Sequence, residues 1–269
     1  MATLNGATDV SDGVESITQK GFKVSTRKLP ILKAGPIEDM TEKLGITVPE
    51  MIFGDNYVRV EHVKSGWGIE FNTFDALDRV DKTGDKMLKV SYSKEWQDNR
   101  QHVHSDIKEV IKPFDWSYTT GYNGTLLPSD SSLPSFSSSA QGLPVQLLMR
   151  RDPLLFVGTT DLFEDELADN GMSIFTVKYR VMPDRLLVLA RFFLRLDGVI
   201  FRIFDTRIYA EFSTGEIIRE HLEREENYDT VKSKIGNRDD IASVMRQPDL
   251  LLELCPIIKT TRERLELPV

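Results

Sequence analysis

Apolar and polar positions alternate with a period of two over long stretches of this chain, and shorter stretches switch to helical spacing. Ile37 to Leu44 has helical spacing, and Val48-Pro49-Glu50 opens a strand region. Tyr57, Arg59 and Glu61 alternate with Val58, Val60 and His62, the pattern of a half-buried strand. A Ser65-Gly66 turn leads to Trp67, Ile69 and Phe71, which predicts a hairpin. Thr73 is the predicted N-cap of a helix over Phe74–Val80, since Phe74, Leu77 and Val80 share one helical face. Met87–Tyr92 reads as a strand. Lys94–Ile111 reads as a long amphipathic helix, with Trp96, Val103, Ile107 and Val110 near one stripe, ended by Pro113. Asp115–Leu127, rich in Thr, Tyr and Trp, reads as strand again. The tail reads as helix over Arg238–Met245 and Ile257–Leu265, punctuated by Pro248 and Pro256.

Pro153 to Phe212 is almost continuous strand, with hairpin turns at Pro183-Asp184 and Asp197-Gly198. Two-residue loops at both turns set a register. Val181 then faces Leu186 and Phe175 faces Phe192, while Leu196 faces Val199 and Phe192 faces Ile203. One face collects Phe175, Val177, Tyr179, Phe192, Leu194, Phe201 and Ile203 as the expected core. The opposite face carries Lys178, Arg180, Arg191, Arg195 and Arg202, interleaved with Leu187, Leu189 and Phe193. This row of cations is either a solvated or helix-covered face, or a groove for an extended acidic or C-terminal peptide, whose carboxylates arginine forks fit. Arg180, Arg191 and Arg202 are its candidate partner-binding residues.

Composition narrows the class. The chain has 269 residues and a net charge of −8, which argues against the usual basic nucleic-acid binder. No apolar run approaches the ~20 residues of a membrane helix; Leu186–Leu194 is short and interrupted by Arg191. The start of the chain lacks the basic and apolar regions of a secretory signal. Cys255 is the only cysteine, so neither an intrachain disulfide nor a cysteine-based zinc site is expected. The expectation is a monomeric cytoplasmic protein, with the nucleus as a second location. Its fold class is α+β, a single domain of mostly antiparallel β-sheet layers flanked by helices. Residues 1–20 are expected to be a flexible N-terminal segment, and 21–269 the domain. A loop at 128–140 holds seven serines in thirteen residues.

No catalytic constellation stands out. Glu164, Asp165 and Asp169 offer carboxylates of the kind that hold hard metals, but in no spacing of a known coordinating loop. They sustain one alternative, a carboxylate- or metal-dependent enzyme. His102-x-His104 on a helix points to two sides, and Gly66-Trp67-Gly68 leads into a strand rather than a helix. No metal and no cofactor is expected, and catalytic residues are not assigned.

Several segments together resemble one family. They include Met51-Ile52-Phe53-Gly54-Asp55-Asn56, Gly66-Trp67-Gly68-Ile69-Glu70-Phe71-Asn72 and Asp75-Ala76-Leu77. Pro113-Phe114-Asp115-Trp116-Ser117-Tyr118, Leu162-Phe163-Glu164-Asp165-Glu166-Leu167, Arg180-Val181-Met182-Pro183 and Arg191 to Val199 follow in order, then Asp205-Thr206-Arg207-Ile208-Tyr209. From about Pro49 onward the chain is similar to the TIPRL family, the TOR signalling pathway regulator-like (Tap-interacting) proteins. The resemblance implies a non-catalytic regulator within TOR signalling. It would bind the catalytic subunits of type 2A, 4 and 6 protein phosphatases, seat their flexible C-terminal tail in a cleft, and inhibit them or hold them inactive. The alpha-four (Tap) regulator is implied as a further partner. Carried over by position, the phosphatase-contacting residues fall on Asp75, Ile203, His221 and Leu143, with Ile203 standing for a methionine and His221 for a tyrosine.

Overall fold

The structure is a computed structural model that describes residues 12–83, 114–128, 134–236 and 241–268. The strand expected at Met87–Tyr92 and the helix at Lys94–Ile111 lie outside the described residues.

Two antiparallel sheets face each other. The smaller, five-stranded, runs β1 (Val14–Gln19), β2 (Phe22–Arg27), β4 (Tyr57–His62), β5 (Trp67–Asn72), β6 (Thr125–Leu127). The larger has eight strands. Its centre is a meander of β8 (Phe156–Asp165), β9 (Gly171–Val181), β10 (Arg185–Leu196), β11 (Ile200–Glu211) and β12 (Glu216–Asn227). At one edge β3 (Met51–Ile52) pairs with β8; at the other come β13 (Ile257–Glu266) and β7 (Ser137–Ser138). Phe22, Ile69 and Phe71 of the small sheet pack against Phe163, Phe175 and Phe192 of the large one in a single apolar core. The Thr26 and Thr160 hydroxyls meet between the sheets at 2.7 Å and so pair each other.

The short helices are α1 (Ala34–Leu44), α2 (Thr73–Asp78), α3 (Val145–Leu148), α4 (Tyr228–Ile235), α5 (Ile241–Val244) and α6 (Pro248–Leu251). The last three cover one end of the outer face of the large sheet. A second core forms there, where Val231, Met245 and Leu251 pack on Phe193, Phe201 and Ile203. The α+β class and the antiparallel layers are as the sequence indicates.

The first hairpin has the expected register, with Val181 opposite Leu186 and Phe175 opposite Phe192. The second is shifted by one residue. Leu196 pairs with Ile200 and Phe192 with Phe204, because the loop takes three residues, Asp197-Gly198-Val199, with Gly198 at φ 72°. A one-residue slip sends every side chain of a strand to the other face. Ile203 and Phe201 therefore lie on the outer face, and Arg202 on the inner one. The row of arginines is corrected accordingly: Arg180 and Arg191 share the outer face, whereas Arg202 points inward to Glu225 at 2.7 Å and the Thr119 hydroxyl at 3.0 Å.

Further corrections have local causes. Residues 12–20 are not a loose tail; Val14–Gln19 is a polar edge strand paired with β2. The cap of α2 is Asn72 rather than Thr73. Only Thr125–Leu127 of the expected strand over 115–127 joins a sheet; Asp115 instead closes a turn on the Ser117 amide and hydroxyl, at 2.9 and 2.6 Å. Ile257–Leu265 is strand, not helix, and pairs with the equally charged β12 through Arg219–Glu263 and Arg262–Glu220, each at 2.7 Å, and Lys259–Glu223 at 2.6 Å.

Candidate functional site

Asp75 is placed by its own helix end. The Asn72 side chain accepts the Asp75 amide at 2.8 Å, and its NH2 group donates back to the Asp75 carboxylate at 2.8 Å. Asn-x-x-Asp thus caps the helix reciprocally and puts a carboxylate at its positive end. The helix is anchored by the Thr73 hydroxyl, which donates to the Phe53 carbonyl at 2.8 Å and the Leu162 carbonyl at 3.2 Å. Asp75 remains half-buried at the rim between the sheets.

From Asp75 a hydrogen-bonded line crosses to the large sheet. The Thr125 hydroxyl donates to Asp75, and the Tyr122 hydroxyl donates either to Thr125 or to the Glu70 carbonyl, each at 2.9 Å. The Thr206 hydroxyl lies 3.4 Å from the Tyr122 carbonyl and 2.8 Å from His221 Nδ1. His221 Nε2 faces the Glu223 carboxylate at 3.4 Å. Burial lowers the His221 pKa from its ordinary value, against the pull of the Glu223 carboxylate. The structure thus brings Asp75 and His221 onto one rim, with Glu70, Glu223 and Glu225 beside them.

Ile203 and Leu143 are not on this rim. Ile203 is 0% exposed beneath α4 and its neighbours. Leu143 is half-buried in the segment before α3, next to Gly142, which approaches Arg262 and Glu220.

The outer face between its two covers is open. At one end Arg185, 2% exposed, is held by Asp152, Asp184 and the Leu147 carbonyl. At the other end Asp249 of α6 pairs with Arg191 at 2.5 Å and Lys178 at 3.4 Å. Between them lies a groove of about 300 Å³, floored by Leu187 and Leu189 and walled by Val157, Thr159, Lys178 and Arg180. Lys178 and Arg180 are exposed, whereas Arg191 is spent on Asp205 and Asp249.

The acidic segment does not converge. Glu164 lies opposite outer-face Ile174, and Asp165 opposite inner-face Ser173. The Asp165 oxygens accept the Leu167 and Glu50 amides at 2.7 and 2.9 Å, a structural use. Burial, with Asp165 and Glu166 nearby, raises the Glu50 pKa above its ordinary value. Among the described residues, no three His, Cys, Asp or Glu side chains gather as a metal site.

Tyr122, Thr125 and Thr206, the links between Asp75 and His221, carry no sequence signal of their own. The reciprocal cap at Asn72 was readable as Asn-x-x-Asp before an apolar pair.

Comparison with known proteins adds an independent finding. The sequence model of the TIP41-like family matches residues 51–232. The chain is 40% identical over 261 residues to the type 2A phosphatase activator TIP41 of Saccharomyces cerevisiae, covering 91% of this chain and 72% of that one. It is 40% identical over 250 residues to the human TIP41-like protein, covering 92% and 88%. Against the type 2A phosphatase activator tip41 of Schizosaccharomyces pombe it is 34% identical over 234 residues, covering 87% and 91%.

Proposed function

The chain belongs to the TIP41-like family, the same family as the TIPRL proteins, and on that premise we propose that it binds the catalytic subunit of a type 2A-class protein phosphatase as a non-catalytic regulator. The observation that carries this reading is the rim on which Asp75 and His221 are joined through Thr125, Tyr122 and Thr206. It presents carboxylates at the mouth of the two-sheet core, held before any partner arrives by hydrogen bonds from Asn72 and Thr125 to Asp75 and from Arg202 to Glu225.

The phosphatase C-terminal tail is assigned to the outer groove, because Lys178 and Arg180 flank an apolar floor in an otherwise acidic chain. The rim and the groove are on opposite faces of the large sheet, so tail and catalytic body are held separately. Ile203 acts from below, by seating α4 to α6 against the sheet. The finer reading extends to the type 4 and 6 catalytic subunits, to alpha-four as a second partner, and to TOR signalling in the cytoplasm and nucleus. The yeast relatives are named activators, whereas a hold on the catalytic subunit inhibits; both follow if a held subunit is later released to other regulators.

Capture of purified type 2A catalytic subunit, intact and without its tail, tests the reading. Binding that persists but weakens without the tail is the expected result. No capture of either form overturns it.

A further inference from the structure

Residues 134–142 form a strap that joins the large sheet through a two-residue seam and rests on the core through Phe136. Only Ser137 and Ser138 make strand pairs, with Arg264 and Glu263 of β13; the Ser137 hydroxyl donates to the Arg264 carbonyl at 3.2 Å and the Ser139 amide to the Arg262 carbonyl at 3.0 Å. Both paired serines are exposed. Such a two-residue seam opens locally at small cost, which gives an enzyme that binds extended peptide access to the hydroxyls.

Strand pairing sets successive serines opposite residues of opposite charge, Arg264 for Ser137 and Glu263 for Ser138. Ser137 shares its face with the Arg264 guanidinium, which pairs with Glu216 at 2.8 Å, with Glu266 and with the Gln141 side chain at 3.5 Å, and with Arg262, which pairs with Glu220 at 2.7 Å. Those two side chains are 39% and 41% exposed, so they can reach a new anion. Ser138 lies directly opposite Glu263. On that face Arg219 already holds Glu263 at 2.7 Å and lies over the Phe136 ring at 4.2 Å. Phe136 in turn meets buried Trp67 edge-on at 6.0 Å.

We infer that Ser137 is a phosphorylation site whose phosphate is read by Arg264 and Arg262, and that phosphate on the neighbouring Ser138 has the opposite effect on the same seam. A protein kinase transfers the γ-phosphoryl group of ATP to the serine Oγ, which loses its proton while ADP leaves. On Ser137 the dianion forms charge-assisted hydrogen bonds to the arginine forks and fastens the strap. On Ser138 it meets the Glu263 carboxylate across the ladder, and the seam loosens. The strap runs on through Gly142 to α3, whose Leu147 carbonyl holds Arg185, so its fastening bears on one border of the outer groove. The inference is independent of which partner the groove takes.

The test is the full chain carrying phosphoserine encoded at 137 or at 138, read by amide hydrogen exchange over 134–142. Phosphoserine 137 is expected to slow exchange about three- to tenfold and phosphoserine 138 to hasten it. Arg262→Ala with Arg264→Ala abolishes only the slowing. Unchanged or faster exchange with phosphoserine 137, or slowing at both positions alike, overturns the assignment. Phosphopeptide mass spectrometry of the chain recovered from growing and starved cells should show phosphate on Ser137; its absence from both overturns the site.

Discussion

Arg191 grips Asp205 across neighbouring strands with two hydrogen bonds, Nε to Oδ1 at 2.6 Å and Nη2 to Oδ2 at 2.8 Å, and both residues are almost fully buried. A desolvated fork–fork pair of this kind is costly to break from one side, because the remaining charge stays inside. Asp205→Ala is therefore expected to destabilise the chain by about 3–5 kcal/mol, measured by urea denaturation. Asp249→Ala, which removes the exposed third partner, should cost under about 1 kcal/mol and mainly free α6, seen as faster exchange at Leu251 and Leu252.

Asp75 tests the rim. Asp75→Leu should lower affinity for the phosphatase catalytic subunit by about tenfold or more, as loss of a central contact does. Asn72→Ala should cost about 1 kcal/mol of stability through the lost cap and weaken binding less. Titration calorimetry beside a denaturation curve separates the two; a folded Asp75→Leu chain with unchanged affinity would remove the rim from the interface.

The charged wall of the groove makes a kinetic prediction. Reversing Lys178 and Arg180 to Glu should slow association with an acidic tail peptide about tenfold at low salt, with little change in dissociation. Stopped-flow association at rising salt should show the difference shrinking, since the charges are exposed and screened.

His221 makes stability pH-dependent. Burial lowers its folded pKa below the ordinary 6.5, with Lys259 and Arg219 reinforcing the shift and Glu223 opposing it. Below 6.5 the unfolded chain takes up the proton first, so this contribution is complete above pH 6.5 and is lost as pH falls toward the folded pKa. The urea midpoint of the native chain should therefore fall more steeply between about pH 7 and 5 than that of His221→Gln. Parallel slopes for the two proteins would show that the ring does not titrate in this way.

The first long hairpin was legible because Pro183-Asp184 fixes a tight turn and the flanking residues alternate cleanly. The second misled because Asp-Gly suits a two-residue turn, whereas here Val199 completes a three-residue loop with Gly198 in the left-handed region. That single residue moved Ile203 from the expected core to the outer face. Strands β12 and β13 were hidden by their charges, since cross-strand ion pairs stabilise them where apolar alternation normally gives the signal. The stretch 115–124 misled in the other direction. Its Thr, Tyr and Trp residues favour strand, but its hydrogen bonds go to turns and to the Ala76 carbonyl instead. Asp75 was placed only by the family resemblance, and its tie to His221 depends on Thr125, Tyr122 and Thr206 meeting in three dimensions.

The loop from Asp197 to Val199 also sets what kinds of genetic change this protein tolerates. Exchanges of Asp197 or Val199 leave the register intact and should be borne with small losses. Deleting one residue there would thrust Arg202 under the C-terminal helices and turn Ile203 toward Thr119, exchanging a greasy anchor for a charge in both layers at once. Homologous chains should therefore vary in the letters of this loop long before they vary in its length.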